Sequence, residues 1–370
     1  MSRDSTEEKM ASAKENEHLT DDAGLSTESR TDAVADMNCK SQPDDRQSAP
    51  RVSIAICTYN RAHDALEAIQ SVLSQDVSPD AYEVIVVDNN STDESPEILQ
   101  ALARESCSVR YAREERQGLS IARNTAWRLA KAPYVAYLDD DARAKPDWLS
   151  KVLETIESGA VNLDAFGGPI YPFYNSPKPT WFKDEWEIRS WGPDARYLDR
   201  HETLAGSNMI ISRSVFKELG GFDETLSVTG TKLRLGGETE FFMRLHAARR
   251  VPCIYYRPDM IVTHGVPRSR MPIRYRLRRA YASGKASYGC RAWSRRELLT
   301  LLLVAPARVA VGLARAIAHV PRHSRPQTWA VEELKPVAKT LGRAIGGLAD
   351  LAASGLAART ATSMDRTNDD

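Results

Sequence analysis

Between residues 52 and 138 the chain alternates short unbroken apolar runs with stretches whose apolar residues recur every three to four positions. Val52-Ser53-Ile54-Ala55-Ile56-Cys57 suits a buried strand, and Ala62 to Ser74 places Ala65, Leu66, Ile69, Val72 and Leu73 at helical spacing. The cycle repeats as a strand over 82–87, a helix over 95–104, a strand over 109–112, a helix over 119–130 and a strand over 134–138. Such βα alternation predicts an α/β fold: a mostly parallel, doubly wound, Rossmann-like sheet flanked by helices. Beyond Pro146 the pattern is mixed. It predicts a helix over 147–156, strands over 165–170 and 207–212, a helix over 238–249 and strands over 253–256 and 260–263, with a Pro/Trp-rich loop over 172–191.

Charge changes the picture at the two ends. The whole chain balances 50 basic against 50 acidic residues, but residues 1–50 hold 12 acids and 6 bases with few aromatic or β-branched residues. That composition predicts a disordered acidic tail. Residues 266–325 hold 14 Arg/Lys and a single acid, Glu297, a block able to attract anionic groups. Five cysteines, odd in number and without metal-ligating spacing, favour a reduced, cytosolic setting. The opening MSRDSTEEKM has no basic flank leading into an apolar run, so no signal peptide is expected.

In a doubly wound sheet, ligands sit outside the carboxyl ends of the strands. The turns there are polar: Thr58-Tyr59-Asn60-Arg61 after the first strand, Asp88-Asn89-Asn90-Ser91-Thr92-Asp93 after the second, Asp139-Asp140-Asp141 after the fourth. Three adjacent carboxylates stay ionised together only when solvent or a cation compensates them, and hard oxygens suit Mg2+ or Mn2+ shared with phosphates. One of the three capping the next helix is the simpler alternative, and it accounts for only part of the cluster. Asp88, ending an apolar strand, can accept from a base or a ribose hydroxyl. Asp93 reads as a helix cap.

The runs VSIAICTYNR, EVIVVDNNSTDES and RQGLSIARNTAWRLAKAPYVAYLDDDARAKPDWL, in that order, resemble the nucleotide-sugar-binding half of the inverting glycosyltransferases of family 2, whose fold is called GT-A. The resemblance covers residues 51 to about 265, dividing into a nucleotide-binding half (51–145) and an acceptor half (146–265). It implies a donor pocket lined by Thr58, Asn60, Arg61 and Asn90, with Asp88 on the base and Gly118, Arg123 and Asn124 near ribose and phosphate. Asp139 and Asp141 would match the metal-binding DxD pair, Asp140 the ribose or sugar, and His264 the metal or pyrophosphate. Asn208, in Ala205-Gly206-Ser207-Asn208, resembles the family's GxN strand beside the donor sugar; Gly206 permitting close packing and Asn208 ending a strand is the equal alternative.

Direct displacement needs a carboxylate to take the acceptor hydroxyl's proton. Leu235-Gly236-Gly237-Glu238-Thr239-Glu240-Phe241 offers Glu238, with Glu240 as the fallback; acids in a first helical turn also complement the dipole without catalysing anything. Relatives usually carry a Glu-Asp pair here, so this chain departs at Gly237 and at Glu238. Trp181, Trp186 and Trp191 could stack on acceptor sugar rings or anchor their loop.

After His264 the chain turns basic, and Leu298 to Ala318 is apolar but interrupted by Pro306, Arg308 and Arg315. This predicts a C-terminal helical extension over 266–358 that lies on an anionic membrane surface, with a hairpin packed on the catalytic domain as the alternative, and a disordered tail over 359–370. A cytoplasmic protein, peripheral at the inner face of the cell membrane, is the expected setting. No nucleic-acid motif accompanies the arginines, so no nucleic acid is expected as a partner.

The expected function is metal-assisted transfer, with inversion, of a hexosyl-type sugar from a nucleoside-diphosphate sugar to a hydroxyl of a saccharide or lipid-linked acceptor, in polysaccharide or glycoconjugate biosynthesis at the cell envelope. Two alternatives stand beside it. A sugar nucleotidyltransferase would need a Gly-rich phosphate loop where Thr58-Tyr59-Asn60-Arg61 stands. A non-catalytic nucleotide-sugar or glycan-binding module would bind donors without hydrolysing them.

Overall fold

Short apolar strands and amphipathic helices alternate as the pattern requires. The computed structural model describes residues 49–159, 163–226, 236–290 and 293–366; the acidic tail expected over residues 1–50 lies almost wholly outside them. β1 (Val52–Thr58), α1 (Ala62–Leu73), β2 (Tyr82–Asp88), α2 (Ser95–Glu105), β3 (Val109–Arg113), α3 (Leu119–Leu129) and β4 (Tyr134–Asp139) form the first half. There follow β5 (Ala142–Ala144), α4 (Trp148–Glu157), β6 (Ala165–Gly167), β7 (Ile170–Phe173), β8 (Arg196–Tyr197), β9 (Met209–Ser212) and α5 (Arg213–Leu219). The chain continues through α6 (Gly237–Ala248), β10 (Ile254–Tyr256), β11 (Val262–Gly265), α7 (Ile273–Gly289), α8 (Arg295–Ala318) and α9 (Pro326–Arg366).

The main sheet runs β3-β2-β1-β4-β9-β6-β10-β8. β3, β2, β1 and β4 are parallel; β9 is antiparallel to both β4 and β6, so the sheet is mixed beyond β4. Strand side chains alternate between faces. Ile54, Ile56, Val84 and Val86 accordingly pack with α1 residues Ala65, Ile69 and Val72 on one side, while Ala55, Ile85 and Val87 pack with Ala122 and Ala126 of α3 on the other. That second layer extends through Phe216, Phe241 and Phe242, which bury α5 and α6.

Two features position the site. Strand order reverses at β1, with β2 and β4 on its two sides, so the crevice for a ligand opens at the carboxyl ends of β1 and β4, where Cys57 pairs with Asp139. A small sheet, β5-β11-β7, is laid beside it, with His264 opposite Ala142 and the Gly265 amide donating to the Asp141 carbonyl at 2.7 Å. β5, in the polar run after Asp141, and β7, which carries Pro172, did not stand out as strands in the sequence pattern.

The C-terminal helices are part of the described fold. Arg276 of α7 is buried in an ion pair with Glu187, Thr328 Oγ1 of α9 donates to the Trp181 carbonyl at 3.1 Å, and Gly284 of α7 lies against the backbone of Lys339 of α9. Against expectation, α8 runs unbroken through Pro306, and α9 runs past residue 358 to Arg366, where a disordered tail was expected. By length and composition α8 is long and apolar enough to cross a membrane. Its buried positions include the small Ala305 and Ala316, while Leu299, Leu303, Val311, Leu313 and Ile317 are exposed.

Cys57, Cys253 and Cys290 are free thiols, whereas Cys107 is disulfide-bonded, which departs from the fully reduced set the cysteine count suggested.

Candidate active site

Asp139, Asp140 and Asp141 leave β4 at the switch point, and each carboxylate meets a different neighbour. Asp140 is buried. It accepts from Thr58 Oγ1 at 2.9 Å and from Arg61 Nη1 at 3.0 Å, which brings the first and fourth strand ends together. Burial raises its pKa to about 6 against the lowering effect of Arg61, with the Asp141 and Asp139 charges pushing the same way as burial. Asp141 accepts from Arg61 Nη1 at 3.0 Å and from Arg270 Nη2 at 3.1 Å, and its Oδ1 lies 2.9 Å from His264 Nε2. Burial would raise its pKa, but the His264 hydrogen bond and the surrounding cations outweigh burial and hold the carboxyl well below the usual range. His264 mirrors it: burial lowers the imidazole, the Asp141 bond and charge raise it, and the net direction is up.

Asp139 faces the crevice, its side chain 30% exposed. One carboxylate oxygen accepts from Arg123 Nη2 at 3.1 Å and the other lies 3.9 Å from His264 Nε2. One ligand atom each from Asp139, Asp141 and His264 falls within 4.8 Å of the others. Two hard carboxylate oxygens and one imidazole nitrogen suit Mn2+ or Mg2+, so the donor set fits the cation expected there. Arg61 and Arg270 partly compensate the same carboxylates. Arg270 was hidden in the basic run and carries no motif; its place follows from the turn at Arg268–Arg270 that immediately follows β11.

Glu238, in the first turn of α6, is held by Arg123, whose Nη1 donates to Oε1 at 2.7 Å. Burial would raise the Glu238 pKa, yet the Arg123 charge and hydrogen bond lower it overall. The carboxylate therefore stays ionised through neutral pH; the pair adds stability above 4.5, the ordinary value, and loses it as pH falls through the lower folded one. Glu240 sits two positions on, about 200° round the helix, and its carboxylate is spent on Arg244, which also bonds the Leu219 and Gly221 carbonyls. The structure thus separates the two acids that the sequence left as alternatives.

Several expected donor contacts are already taken by the protein. Asp88 is fully buried: Oδ1 accepts from the Ser91 amide, and Oδ2 from Tyr111 Oη at 2.9 Å and Arg113 Nη1 at 3.3 Å. Asn124 is turned to the Phe222 backbone and Glu224. Arg123 is 4% exposed, with both terminal nitrogens engaged by Glu238 and Asp139. Asn208 is also fully buried, donating to the Pro169 and Met260 carbonyls and accepting from Trp148 Nε1, and it stands just before β9 rather than at the end of a strand.

Asn60 and Asn90 remain at the crevice rim, both with positive φ, at 53° and 63°. Asn60 is locked by the Thr92 amide donating to its Oδ1 and by its own amide donating to Ser91 Oγ. Asn90 Oδ1 accepts from Arg113. The Gly118 amide opens α3, bonded to Asn89 Oδ1 at 2.7 Å.

Of the three loop tryptophans, Trp181 and Trp186 pack against Phe182, Val266 and Met271, with Arg276 over the Phe182 and Trp186 rings at 5.3 and 5.7 Å. They anchor the loop. Trp191 is 38% exposed, its Nε1 donating to the Thr203 carbonyl, and keeps an open face.

Comparison with known proteins places the chain among glycosyltransferases. Residues 53–220 match the family model described as Glycosyl transferase family 2. A glucosyl-dolichyl phosphate glucuronosyltransferase of Haloferax volcanii is 29% identical over 213 residues, covering 55% of this chain and 66% of that protein. The succinoglycan biosynthesis protein ExoM of Rhizobium meliloti is 28% identical over 239 residues, covering 63% of this chain and 73% of that protein. Among solved structures, the mannosyltransferase PcManGT from Pyrobaculum calidifontis, in complex with GDP-Man and Mn2+, aligns with TM-score 0.48 and 20% identity over 89% of this chain and 84% of that one.

Proposed function

We propose, from the premise that this chain belongs to glycosyltransferase family 2 through its residues 53–220, that it moves a hexosyl-type sugar from a nucleoside-diphosphate donor to a hydroxyl of a saccharide or lipid-linked acceptor, inverting the anomeric centre, in polysaccharide or glycoconjugate assembly. The observation that carries the reading is convergence: Asp139, Asp141 and His264 lie within ligand distance of one another, and Arg123 joins Asp139 directly to Glu238. Glu238 takes the acceptor hydroxyl's proton as that oxygen bonds to the anomeric carbon. Asp139, Asp141 and His264 would hold the divalent cation, Mn2+ or Mg2+, whose charge stabilises the departing diphosphate. Arg61 and Arg270, already on Asp141, supply further positive charge at that end of the crevice. Thr58 and Asp140 fix the floor between β1 and β4. Trp191, on the exposed side of its loop, offers an aromatic face to an acceptor sugar.

Two relatives support this reading, one a glucosyl-dolichyl phosphate glucuronosyltransferase and the other a succinoglycan biosynthesis protein. The exposed apolar side of α8, within a strongly basic segment, supports work at an anionic membrane surface on the cytoplasmic side.

The test is to incubate full-length chain with labelled UDP-, GDP- and dTDP-sugars and Mn2+, with and without candidate acceptors. Donor hydrolysis without acceptor, lost in Asp141→Ala, is the expected result. Donor binding with no turnover under any condition defeats the enzyme reading in favour of a binding module.

A further inference from the structure

Arg123 is the most enclosed charged group between the crevice and α6. It is 4% exposed, its guanidinium carbon lies 6.0 Å from the Tyr137 ring centroid and 5.9 Å from that of Phe222, and the Tyr137 hydroxyl donates to the Arg123 carbonyl at 3.1 Å. One terminal nitrogen donates to Glu238 Oε1 and the other to Asp139 Oδ1, so a single rigid fork spans two carboxylates 99 residues apart in the chain, Asp139 and Glu238. Gly206 completes the arrangement. A Cβ built there would lie 2.4 Å from Arg123 Nη2 and 2.4 Å from Glu238 Oε1. Both close atoms are the far ends of side chains, so an added methyl displaces the ion pair while leaving the backbone path open.

We infer that Arg123 is a positioning residue that sets the Glu238 carboxylate at a fixed place relative to Asp139, and that glycine at 206 is what leaves room for this bridge. The inference rests on the reading of Glu238 as the base. Arg123 occupies Oε1 and orients the side chain, which assigns the acceptor proton to Oε2; no other described side chain hydrogen-bonds Glu238. The fork also sets the distance between the proton acceptor and the carboxylate nearest the departing diphosphate. A base displaced by as little as about 1 Å loses on the order of 10²-fold in rate without any loss of donor affinity.

Arg123→Ala strips two carboxylates of their cation and endangers the fold, so the deciding variant is Gly206→Ala in the full chain. It is assayed with whichever of the UDP-, GDP- or dTDP-sugars is turned over with Mn2+. The expected result is a fall of about 10²-fold in kcat with donor KM unchanged. Combining it with Glu238→Asp, which draws the carboxylate back from the added methyl, is expected to cost no more than Gly206→Ala alone. Wild-type turnover in Gly206→Ala, a loss carried by KM, or losses that multiply in the double variant would each overturn the inference. Full turnover in Glu238→Gln sinks the base reading itself; an inactive Glu238→Gln beside a fully active Gly206→Ala sinks only the bridge.

Discussion

Asp88 and Asp141 stand at the carboxyl ends of two strands that flank β1, yet the protein treats them differently. Asp88 closes β2 and takes its donors from the next 25 residues: the Ser91 amide, Tyr111 and Arg113. Asp141 follows β4 and draws Arg61, His264 and Arg270 from positions separated from it by 80 residues and more. A carboxylate neutralised by its own βαβ unit is satisfied as soon as that unit forms, and serves the strand end. One neutralised by side chains brought from three distant segments exists only in the finished fold. Its partners meet only there, beside Asp139, and that is where the proposed chemistry is placed.

Changing Asp141 to Ala should break the contrast most severely. Transfer and Mn2+-dependent donor hydrolysis are expected to vanish while the far-UV circular dichroism stays that of the wild type; residual transfer would move the cation site off Asp141. Next in size, Glu238→Gln should lower kcat by about 10²–10⁴-fold, the usual worth of a general base, with donor KM little changed. Steady-state kinetics decide it, and a comparable loss in Glu240→Gln would contradict the separation of the two acids by Arg244. Asp88→Asn sharpens the comparison from the other side. It should cost about 1–3 kcal/mol of stability through imperfectly satisfied buried partners, read as a lower urea midpoint, while turnover per folded molecule is largely kept. The smallest effect concerns α8: Leu303→Asp with Ile317→Asp should release the full chain from anionic phospholipid vesicles in a flotation assay without altering transfer to a soluble acceptor. Unchanged flotation would reassign that face.

How far the sequence could be read differs between these regions. β1 to β4 and their helices follow directly from apolar runs and helical spacing, because each element is buried by its immediate neighbours and so writes its own period into the chain. β5 and β7 were missed as strands because Ala142-Arg143-Ala144 lies in a polar run after three carboxylates and Ile170-Tyr171-Pro172-Phe173 carries a proline. The triad of Asp139, Asp141 and His264 was legible through motif resemblance, and the register of β11 against β5 accounts for it. Arg270 was not legible, since one arginine in a basic run carries no sign of which carboxylate it will meet. Arg123, Asn124 and Asn208 are turned to protein partners that the motif does not name, for a related reason. A motif preserves residue type and spacing, but the direction of a side chain depends on whether the protein has already satisfied it, and here Glu238, Phe222 and Met260 did so.

By itself the sequence determined the βα order, the carboxylates at the strand ends, the candidate base in the first turn of α6 and the apolar length that became α8. These properties are local, set by the side chains a segment carries and the period at which it carries them. Only the tertiary structure decided which of those groups meet: that Arg123 bridges Asp139 and Glu238 over the gap left by Gly206, that Arg244 pairs with Glu240, and that Asp88 takes its partners from nearby residues while Asp141 takes them from distant ones. Such choices depend on distances between segments a hundred residues apart, which no local pattern encodes.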